Sequence, residues 1–519
     1  MKPSTTDELR PKSADVRPNI RLTIVLAIVV GTLQSLCFPP AGLAFLLPFG
    51  IAAFLFLLKG LELKWAFRIG FIYGVAWYLG DLFWLSNIFG PAAISLCAIL
   101  AFFTGLFAAL YVWLSARLPQ VPAWLLAATL WTGIEYFRSE LFILKFGWLG
   151  LGYGVIHSSV AAACASCIGS FGLTFLLVSL AGLIADKMAL GRKNLLVCAG
   201  LYILFIIAYS IPLAAPLPER PLRVRLVQAA SEDDQSFFSL SSPLPDRPVD
   251  IVVWPEYSLV SDPTRQPRVW SKLAEVARAN HAYFLFGAKE EINQTDPAAY
   301  RNTAFLLDPN GELAGKHVKN HTVHFFRDGV PGTIARAIPT SLGRLGVAIC
   351  FDMDYQDVAR RLCEEGAGVF LVPNDDPAEW GPIQHLQHRL MFEMRAAECG
   401  RWLARADVAG GTSVAMPNGR ESVHVNTTGP AKLEVIVGRS NSKTLFVRGG
   451  WLFGPINLSA VVTFCLLAFA TGRAGKSKAE ETRGRCQSVS LPISLLQVED
   501  IVRLTNRSSS FRVNRTDSM

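Results

Sequence analysis

Eight apolar stretches, most of them long enough to cross a lipid bilayer, constrain the fold of this 519-residue chain most strongly. They lie near residues 20–38, 41–58, 66–86, 92–116, 122–137, 159–185, 195–214 and 450–472. The first is too long for a signal-peptide core and lacks a clear small-residue cleavage site, so we expect it to be retained. The run at 122–137 is marginal, and Glu135, Arg138 and Glu140 beside it favour a functional or re-entrant segment. The sequence predicts a multi-span α-helical membrane domain with about eight transmembrane helices.

The composition agrees with a membrane protein and argues against a nucleic-acid partner. Hydrophobic residues make up 51% of the chain and charged residues 17%, and the mean hydropathy is +0.34. The net charge of +8 comes from short basic clusters between apolar runs, not from one aromatic-laced patch. The ten cysteines show neither a disulfide framework nor a zinc spacing, and the Cys164/Cys167 pair lies in a hydrophobic segment. We therefore expect no metal and no cofactor.

The positions of lysine and arginine predict which side of the membrane each segment faces. Basic clusters precede the first run, separate the second from the third, follow the fourth, separate the sixth from the seventh, and follow the last. If every basic cluster lies in the cytoplasm, the chain must cross the membrane an even number of times, which agrees with eight spans. The predicted domains are a cytoplasmic tail (1–19), about seven transmembrane helices (20–214), an extracytoplasmic domain (215–449), a final transmembrane helix (450–472) and a disordered cytoplasmic tail (473–519).

The long region at 215–449 has the pattern of an α/β domain. Short β-rich runs recur at Leu222–Val227, Asp250–Val253, Tyr283–Phe286, Thr303–Leu307, Leu345–Cys350, Val369–Val372 and Leu433–Val437. Helical patterns lie between several of them, including Val269–Asn280 and His385–Cys399. Strands and helices that alternate at this spacing favour an α/β sandwich over a sheet meander.

Three reactive side chains stand at the ends of predicted strands in this domain. Cys350 ends an apolar run, Glu256 follows the strand-stopping Pro255, and Lys319 lies in a short basic segment. Taken alone, each has a commoner explanation: an inert core thiol, a solvated carboxylate and a surface basic cluster.

Taken together, the three side chains suit acyl transfer through a thioester. A thiol with its usual pKa of about 8.5 is mostly protonated near neutral pH and needs a base or a cation beside it. A glutamate can accept the thiol proton, and a lysine can stabilise the charge that develops on a carbonyl oxygen. A Cys–His pair stays open as an alternative, because His317, His321, His324, His385 and His388 lie in the same domain.

The order of these motifs resembles the Glu–Lys–Cys triad of the nitrilase superfamily. The matching pieces are Trp254-Pro255-Glu256, Lys319 in a Lys-x-x-x-Val-x-Phe setting, and Ile349-Cys350-Phe351-Asp352. Asn374-Asp375 after a strand and Met394–Glu398 at a helix end fit as well. The membrane layout and the segments Trp131–Arg138 and Phe146–Tyr153 resemble one branch of the superfamily, the bacterial apolipoprotein N-acyltransferases.

The resemblance implies a nitrilase-like αββα sandwich and a two-step reaction. Cys350 would take an acyl chain from a membrane phospholipid, and the α-amine of a diacylglyceryl-cysteine apolipoprotein would then attack the thioester. Glu256 would act as base and acid, and Lys319 would support the oxyanion, with Lys316 as the fallback. The implied location is the bacterial inner membrane, with the catalytic domain on the periplasmic side.

Several further residues are expected to support the site or bind substrate, namely Phe351, Asp352, Asn374 and Trp148. Trp148 and Tyr153 could line a lipid entrance, although anchoring at the membrane interface is the simpler role for these aromatic residues.

The chain departs from the family pattern around the lysine and the cysteine. Phe325-Phe326-Arg327-Asp328 replaces the usual Phe-Gly-Glu, so the supporting carboxylate is either missing or shifted to Asp328. Cys350-Phe351-Asp352 replaces Cys-Tyr-Glu. Two alternative functions remain: a membrane-tethered amide hydrolase of the same fold, and a non-catalytic paralogue that binds lipid or lipoprotein.

Overall fold

The computed structural model describes residues 18–189, 195–211, 216–231, 233–293 and 296–487. The chain divides into two compact units, Met1–Leu466 and Leu467–Met519. All of the sites described below lie in the first unit. Residues 1–17 of the predicted N-terminal tail and residues 488–519 of the predicted C-terminal tail lie outside the described residues.

Most of the described residues between 20 and 210 are helical. The helices are α1 (Ile20–Ser35), α2 (Leu47–Leu57), α3 (Leu63–Asp81), α4 (Leu85–Phe89), α5 (Ala92–Arg117), α6 (Ala123–Tyr136), α7 (Leu151–Gly154), α8 (Ser159–Ala189) and α9 (Leu195–Ser210). Each predicted apolar run coincides with a helix, including the last, which belongs to α15 (Phe453–Gln487). Among the described residues, three helical segments are long and apolar enough to cross a membrane, namely Ala92–Arg117, Ser159–Met188 and Gly450–Thr471. The total of eight spans therefore stays a prediction.

Small residues allow the helices of this domain to pack closely. A Cβ added to Gly70 of α3 would lie 2.6 Å from the Cβ of Ala108 on α5, and one added to Gly74 would lie 2.8 Å from the Cα of Ala101. Close approach of this kind is typical of helix pairs in membranes, where van der Waals packing must replace the hydrophobic effect. Large apolar side chains such as Ile94 and Leu204 face outward, more than 60% exposed, as expected for contact with lipid.

The second part of the chain folds into two six-stranded sheets. The strands are β1 (Leu222–Gln228), β2 (Ile251–Val253), β3 (Tyr283–Asn293), β4 (Asp296–Leu307), β5 (Leu313–Val318), β6 (Ile338–Thr340), β7 (Gly343–Val347), β8 (Val369–Pro373), β9 (Leu403–Ala406), β10 (Ser413–Ala415), β11 (Glu421–His424) and β12 (Ala431–Val437). One sheet has the order β12-β1-β2-β3-β4-β5 and the other the order β11-β10-β9-β8-β7-β6. In both sheets the central strands are parallel, through β1-β2-β3 and β7-β8-β9.

Three apolar clusters show the layers of this domain. The first fills the space between the sheets and includes Leu226 and Val253 from one sheet and Val347 and Leu371 from the other. A second cluster packs the outer face of the first sheet against α10 (Asp234–Ser241) and α11 (Pro267–Asn280). A third packs the outer face of the second sheet against α12 (Gln356–Glu364), α13 (Pro382–Cys399) and α14 (Leu445–Arg448). The layers are helix, sheet, sheet and helix, so the predicted αββα sandwich is confirmed.

The boundaries differ from the sequence prediction at two informative places. The strand expected to end at Cys350 ends at Val347, and Cys350 begins a 3₁₀ turn that runs to Asp354. The helix α15 continues to Gln487, so residues 473–487, predicted to be disordered, are helical. This extension is rich in alanine, lysine, glutamate and arginine, which favour helix.

Candidate active site

Cys350 lies on a sharp turn directly after β7. Its φ angle is 45°, in the left-handed region that side chains other than glycine rarely adopt, and only 4% of the residue is exposed. Strain of this kind persists only where the surrounding structure holds it in place. The turn projects the cysteine from the end of a buried strand into the site.

Asp352 ties the cysteine turn to the segment that carries the candidate lysine. Its Oδ1 accepts hydrogen bonds from the backbone N–H groups of Asn320 (2.8 Å) and His321 (2.9 Å), and its Oδ2 accepts one from the N–H of Ile349 (3.0 Å). His317 Nε2 lies 2.8 Å from Oδ2. Burial favours the neutral acid, but the His317 hydrogen bond and charge and the Ile349 N–H lower the pKa of Asp352. The residue expected to support the site therefore holds the Lys319 and Cys350 segments in register.

Lys319 and Glu256 are in contact and line the same cavity as Cys350. Lys319 directly follows β5, and Glu256 follows β2 after Trp254 and Pro255. Gly287 of β3 is needed here, because a Cβ at that position would lie only 2.7 Å from the Cα of Glu256. The strand ends therefore bring residues 256 and 319 together, as the sequence predicts.

The lysine forms two buried ion pairs. Lys319 Nζ lies 2.8 Å from Oε1 of Glu256 and 2.7 Å from Oδ2 of Asp328. Asn302 Nδ2 donates to the same two carboxylates, at 2.5 Å to Glu256 and 2.7 Å to Asp328. The supporting carboxylate is thus present, shifted to Asp328. Lys316, the fallback candidate, has a side chain that is 42% exposed and pairs with Glu290 instead.

Burial and charge set the protonation states that acyl chemistry needs. Burial raises the pKa of Glu256 to about 7, with Lys319 opposing the shift and Asp328 reinforcing it. Burial by itself would lower the pKa of Lys319, but the carboxylates of Glu256 and Asp328 raise it well above its usual range. Burial and the Glu256 charge raise the pKa of the Cys350 thiol. A protonated thiol therefore lies near a base that titrates close to neutral pH and a permanent cation.

Three of the five candidate histidines, His317, His321 and His388, pair with carboxylates. His388 brings a ring nitrogen within 4.8 Å of Cys350 Sγ, but both of its nitrogens face carboxylates: Nδ1 lies 2.7 Å from Asp376 and Nε2 lies 3.0 Å from Asp354. Burial lowers its pKa, but the two carboxylates outweigh that and raise it to about 10. His388 is consequently a cation without a free lone pair. His317 and His321 pair with Asp352 and Asp357. This geometry argues against a Cys–His pair built on any of the three.

Asn374 and Trp148 contact residues that neighbour the candidate triad. The backbone oxygen of Asn374 accepts from the N–H of Glu256 at 3.3 Å, and its Nδ2 donates to Asp407 at 2.9 Å. Trp148 donates from Nε1 to Asp354 at 2.6 Å and stacks on His388 with the ring centres 5.3 Å apart. Trp148 and Tyr153 are buried, at 5% and 7% exposure, so neither is an interfacial anchor.

Two cavities meet at Cys350. A polar cavity of about 220 Å³ is lined by the candidate triad together with Tyr257, Asp328 and Trp380. An apolar cavity of about 90 Å³ also reaches Cys350 and is lined by Phe351 and by residues of the helical domain, including Trp84, Phe89, Leu96 and Trp148. Cys350 thus borders both the polar cavity and an apolar one whose wall belongs partly to the helical domain.

Sequence reasoning missed the cluster of Asp354, Asp376 and His388 beside the thiol. Its members come from three different elements, so no spacing in the sequence joins them. The one available signal was the doubled acid Asp375-Asp376 after β8.

Two family models and several relatives are similar to this chain. Residues 223–436 match the carbon–nitrogen hydrolase family, and residues 30–183 match the apolipoprotein N-acyltransferase N-terminal domain. The chain is 25% identical to the apolipoprotein N-acyltransferase of Geobacter metallireducens, over 89% of this chain and 98% of that protein. It is 29% identical to the one from Pseudomonas aeruginosa strain LESB58, over 76% of this chain and 86% of that protein.

A solved amidase of the nitrilase superfamily from Nesterenkonia, in a cysteine-to-alanine mutant form, is 21% identical and covers 43% of this chain and 92% of its own, with a TM-score of 0.37. The family match over residues 223–436 places the two-sheet domain among carbon–nitrogen hydrolase-type proteins. The chain therefore joins an N-terminal domain like that of apolipoprotein N-acyltransferases to a carbon–nitrogen hydrolase domain, is similar to those enzymes over most of its length, and is an acyltransferase.

Proposed function

We propose that this protein transfers a fatty acyl chain from a membrane phospholipid to the N-terminal α-amine of diacylglyceryl-cysteine apolipoproteins, through a thioester on Cys350. One observation carries the proposal: Cys350 lines both the cavity that holds Glu256 and Lys319 and an apolar cavity walled partly by the helical domain. A lipid chain held in that cavity would present its ester carbonyl to Sγ.

In the first step Glu256 takes the thiol proton as Sγ attacks the ester carbonyl. The developing oxyanion lies near Lys319, whose charge is fixed by its two carboxylate partners. The tetrahedral intermediate collapses to the Cys350 thioester. Glu256 then returns the proton to the leaving hydroxyl of the lysophospholipid.

In the second step the α-amine of the apolipoprotein attacks the thioester from the polar cavity. Glu256 accepts a proton from the amine nitrogen, and Lys319 again supports the oxyanion. Collapse forms the amide and expels the Cys350 thiolate, which is reprotonated by Glu256. The cycle ends with the protonation states with which it began.

In the proposed arrangement the active site lies within reach of both substrates, which are anchored in the membrane. We place the protein in the bacterial inner membrane with about eight spans, and the two-sheet domain on the periplasmic side. The basic clusters between the apolar runs support this orientation.

A labelled-lipid experiment tests the proposal. The full chain in detergent micelles is incubated with phospholipid labelled in one acyl chain, and the protein-bound label is then chased with a lipopeptide amine or with water. We expect the wild type to retain label and to lose it to the amine much faster than to water. Cys350→Ala and Glu256→Ala should retain none, whereas Cys363→Ala, which removes another buried thiol of the same domain, should behave as wild type.

The other outcomes discriminate the alternatives. Discharge by water as fast as by the amine would favour an amide hydrolase. Absence of bound label in the wild type would overturn the acyl-transfer proposal and favour a binding protein.

A further inference from the structure

The cluster beside Cys350 has the chemistry of a transition-metal site. Cys350 Sγ, a carboxylate oxygen of Asp376 and a ring nitrogen of His388 lie within 4.8 Å of one another, and all three residues are buried. Sulfur, nitrogen and oxygen ligands of this kind suit Zn²⁺, which takes four ligands at about 2.0–2.3 Å and leaves the fourth to water in open sites.

The surroundings of His388 supply the partner that metal-bound histidines usually have. If Nδ1 bound the metal, Nε2 would still donate to Asp354 at 3.0 Å. A carboxylate on the far nitrogen fixes the ring and its tautomer and strengthens the ligand. Asp354 is itself fixed by Trp148, whose Nε1 donates to it at 2.6 Å.

The charge of the site also fits a divalent cation. A thiolate and the Asp376 carboxylate carry two negative charges, which equal the charge of a divalent ion. Arg405, whose Nη1 lies 3.6 Å from Asp376, and the Asp354 carboxylate add one charge of each sign around the site. The second Asp376 oxygen keeps its hydrogen bond from Gln384 Nε2, at 2.9 Å, so the carboxylate stays oriented. The thiol proton and the proton between Nδ1 and Asp376 would leave as the metal binds.

We infer that Cys350, Asp376 and His388 form an inhibitory binding site for a thiophilic divalent metal ion of the Zn²⁺ class. The fourth position would open into the apolar cavity that all three residues line. Metal binding would occupy the sulfur that accepts the acyl chain, so the inhibitory effect rests on the function proposed above. The binding itself does not.

Cobalt provides a spectroscopic test that does not depend on activity. Co²⁺ is titrated into the full chain in detergent micelles, and the thiolate-to-cobalt charge-transfer band and the visible bands of tetrahedral cobalt are recorded. We expect about one Co²⁺ per chain, displaced by Zn²⁺ and removed by a chelator. Cys350→Ser should abolish the charge-transfer band, and His388→Gln and Asp376→Asn should weaken Co²⁺ binding at least about 10-fold.

Two controls guard against other thiols and against misfolding. Cys164→Ser removes one member of the Cys164/Cys167 pair and should leave the band unchanged, because that pair lies in α8. In the wild type, Zn²⁺ should protect Cys350 from alkylation, read by mass spectrometry on the tryptic peptide Leu345–Arg360, which contains no other cysteine. This protection needs no variant and so is unaffected by folding defects.

The outcomes separate this inference from the proposed function. A wild type that shows no charge-transfer band, or a band that survives Cys350→Ser, overturns the metal site. A wild type that binds Co²⁺ through Cys350 but never becomes acylated in metal-free buffer supports the metal site and refutes the acyl-transfer proposal. Acylation that Zn²⁺ blocks and a chelator restores supports both.

Discussion

The charge of Asp328 raises the pKa of Glu256 as well as that of Lys319, so its effect can be tested through the pH profile of Cys350 acylation. Oε1 of Glu256 and Oδ2 of Asp328 lie 2.8 and 2.7 Å from Lys319 Nζ, which leaves them at most about 5.5 Å apart. At an effective dielectric constant of about 20, two unit charges at that distance repel by about 3 kcal/mol, or about 2 pKa units. This repulsion helps to raise the pKa of Glu256 to about 7.

Asp328→Asn removes that repulsion while keeping the size of the side chain. Glu256 must be ionised to accept the thiol proton, so the acylation rate rises with pH through its pKa. We expect the midpoint of the wild-type profile near pH 7 and that of Asp328→Asn to be about 1–2 pH units lower. The assay is the single-turnover rate of Cys350 acylation by a fluorescent phospholipid between pH 5 and pH 9.

Two variants control this measurement. Asp328→Glu keeps the charge and should keep the midpoint near that of the wild type. Asp246→Asn, an exposed residue of the same domain, should leave the profile unchanged. An Asp328→Asn midpoint equal to or higher than that of the wild type would refute the electrostatic argument.

Three further predictions follow from the contacts around the triad. Lys319→Ala should lower the acylation rate by about 100-fold or more, because the oxyanion loses its cation, whereas Lys316→Ala should change it less than about 2-fold. Equal effects of the two substitutions would contradict the assignment of Lys319 to the oxyanion. Asp352→Asn should slow acylation by about 10–100-fold at unchanged pH midpoint, since the Lys319 and Cys350 segments lose their shared anchor, and an unaltered rate would refute that role. The pKa of His388 is raised to about 10, so the stability that its charge gives the folded protein is complete below its ordinary pKa and is lost as pH rises through 10. The difference in thermal unfolding midpoint between wild type and His388→Gln, measured in detergent micelles, should therefore shrink from pH 6 to pH 10. A difference that stays constant would contradict this prediction.

The sequence was most informative where local chemistry decides the structure. Glu256 and Cys350 each come after a short apolar strand, so their positions at strand ends could be predicted. The strand before Lys319 contains Lys316 and His317 and is partly exposed, so Lys319 was recognised from its motif. The apolar runs coincide with helices for a similar reason, because about 20 apolar residues are stable as a helix in lipid.

What the sequence did not predict depends on contacts between distant segments. The Asp354–His388–Asp376 cluster is formed by a 3₁₀ turn, a helix and a loop, and only the folded domain brings them together. Trp148 was expected to support the site or line a lipid entrance, but its hydrogen bond to Asp354 could not be predicted, since it spans 206 positions in the chain. The short strands β6 and β10 have three residues each, too few to show a period.

The most direct test of the account is the mass of the tryptic peptide Leu345–Arg360 after the protein has been incubated with a phospholipid of one defined acyl chain. The account predicts that the peptide gains the mass of that acyl group and that hydroxylamine removes it, as expected for a thioester on Cys350. An unmodified peptide, or an acyl group found on another cysteine while Cys350 stays free, would contradict it.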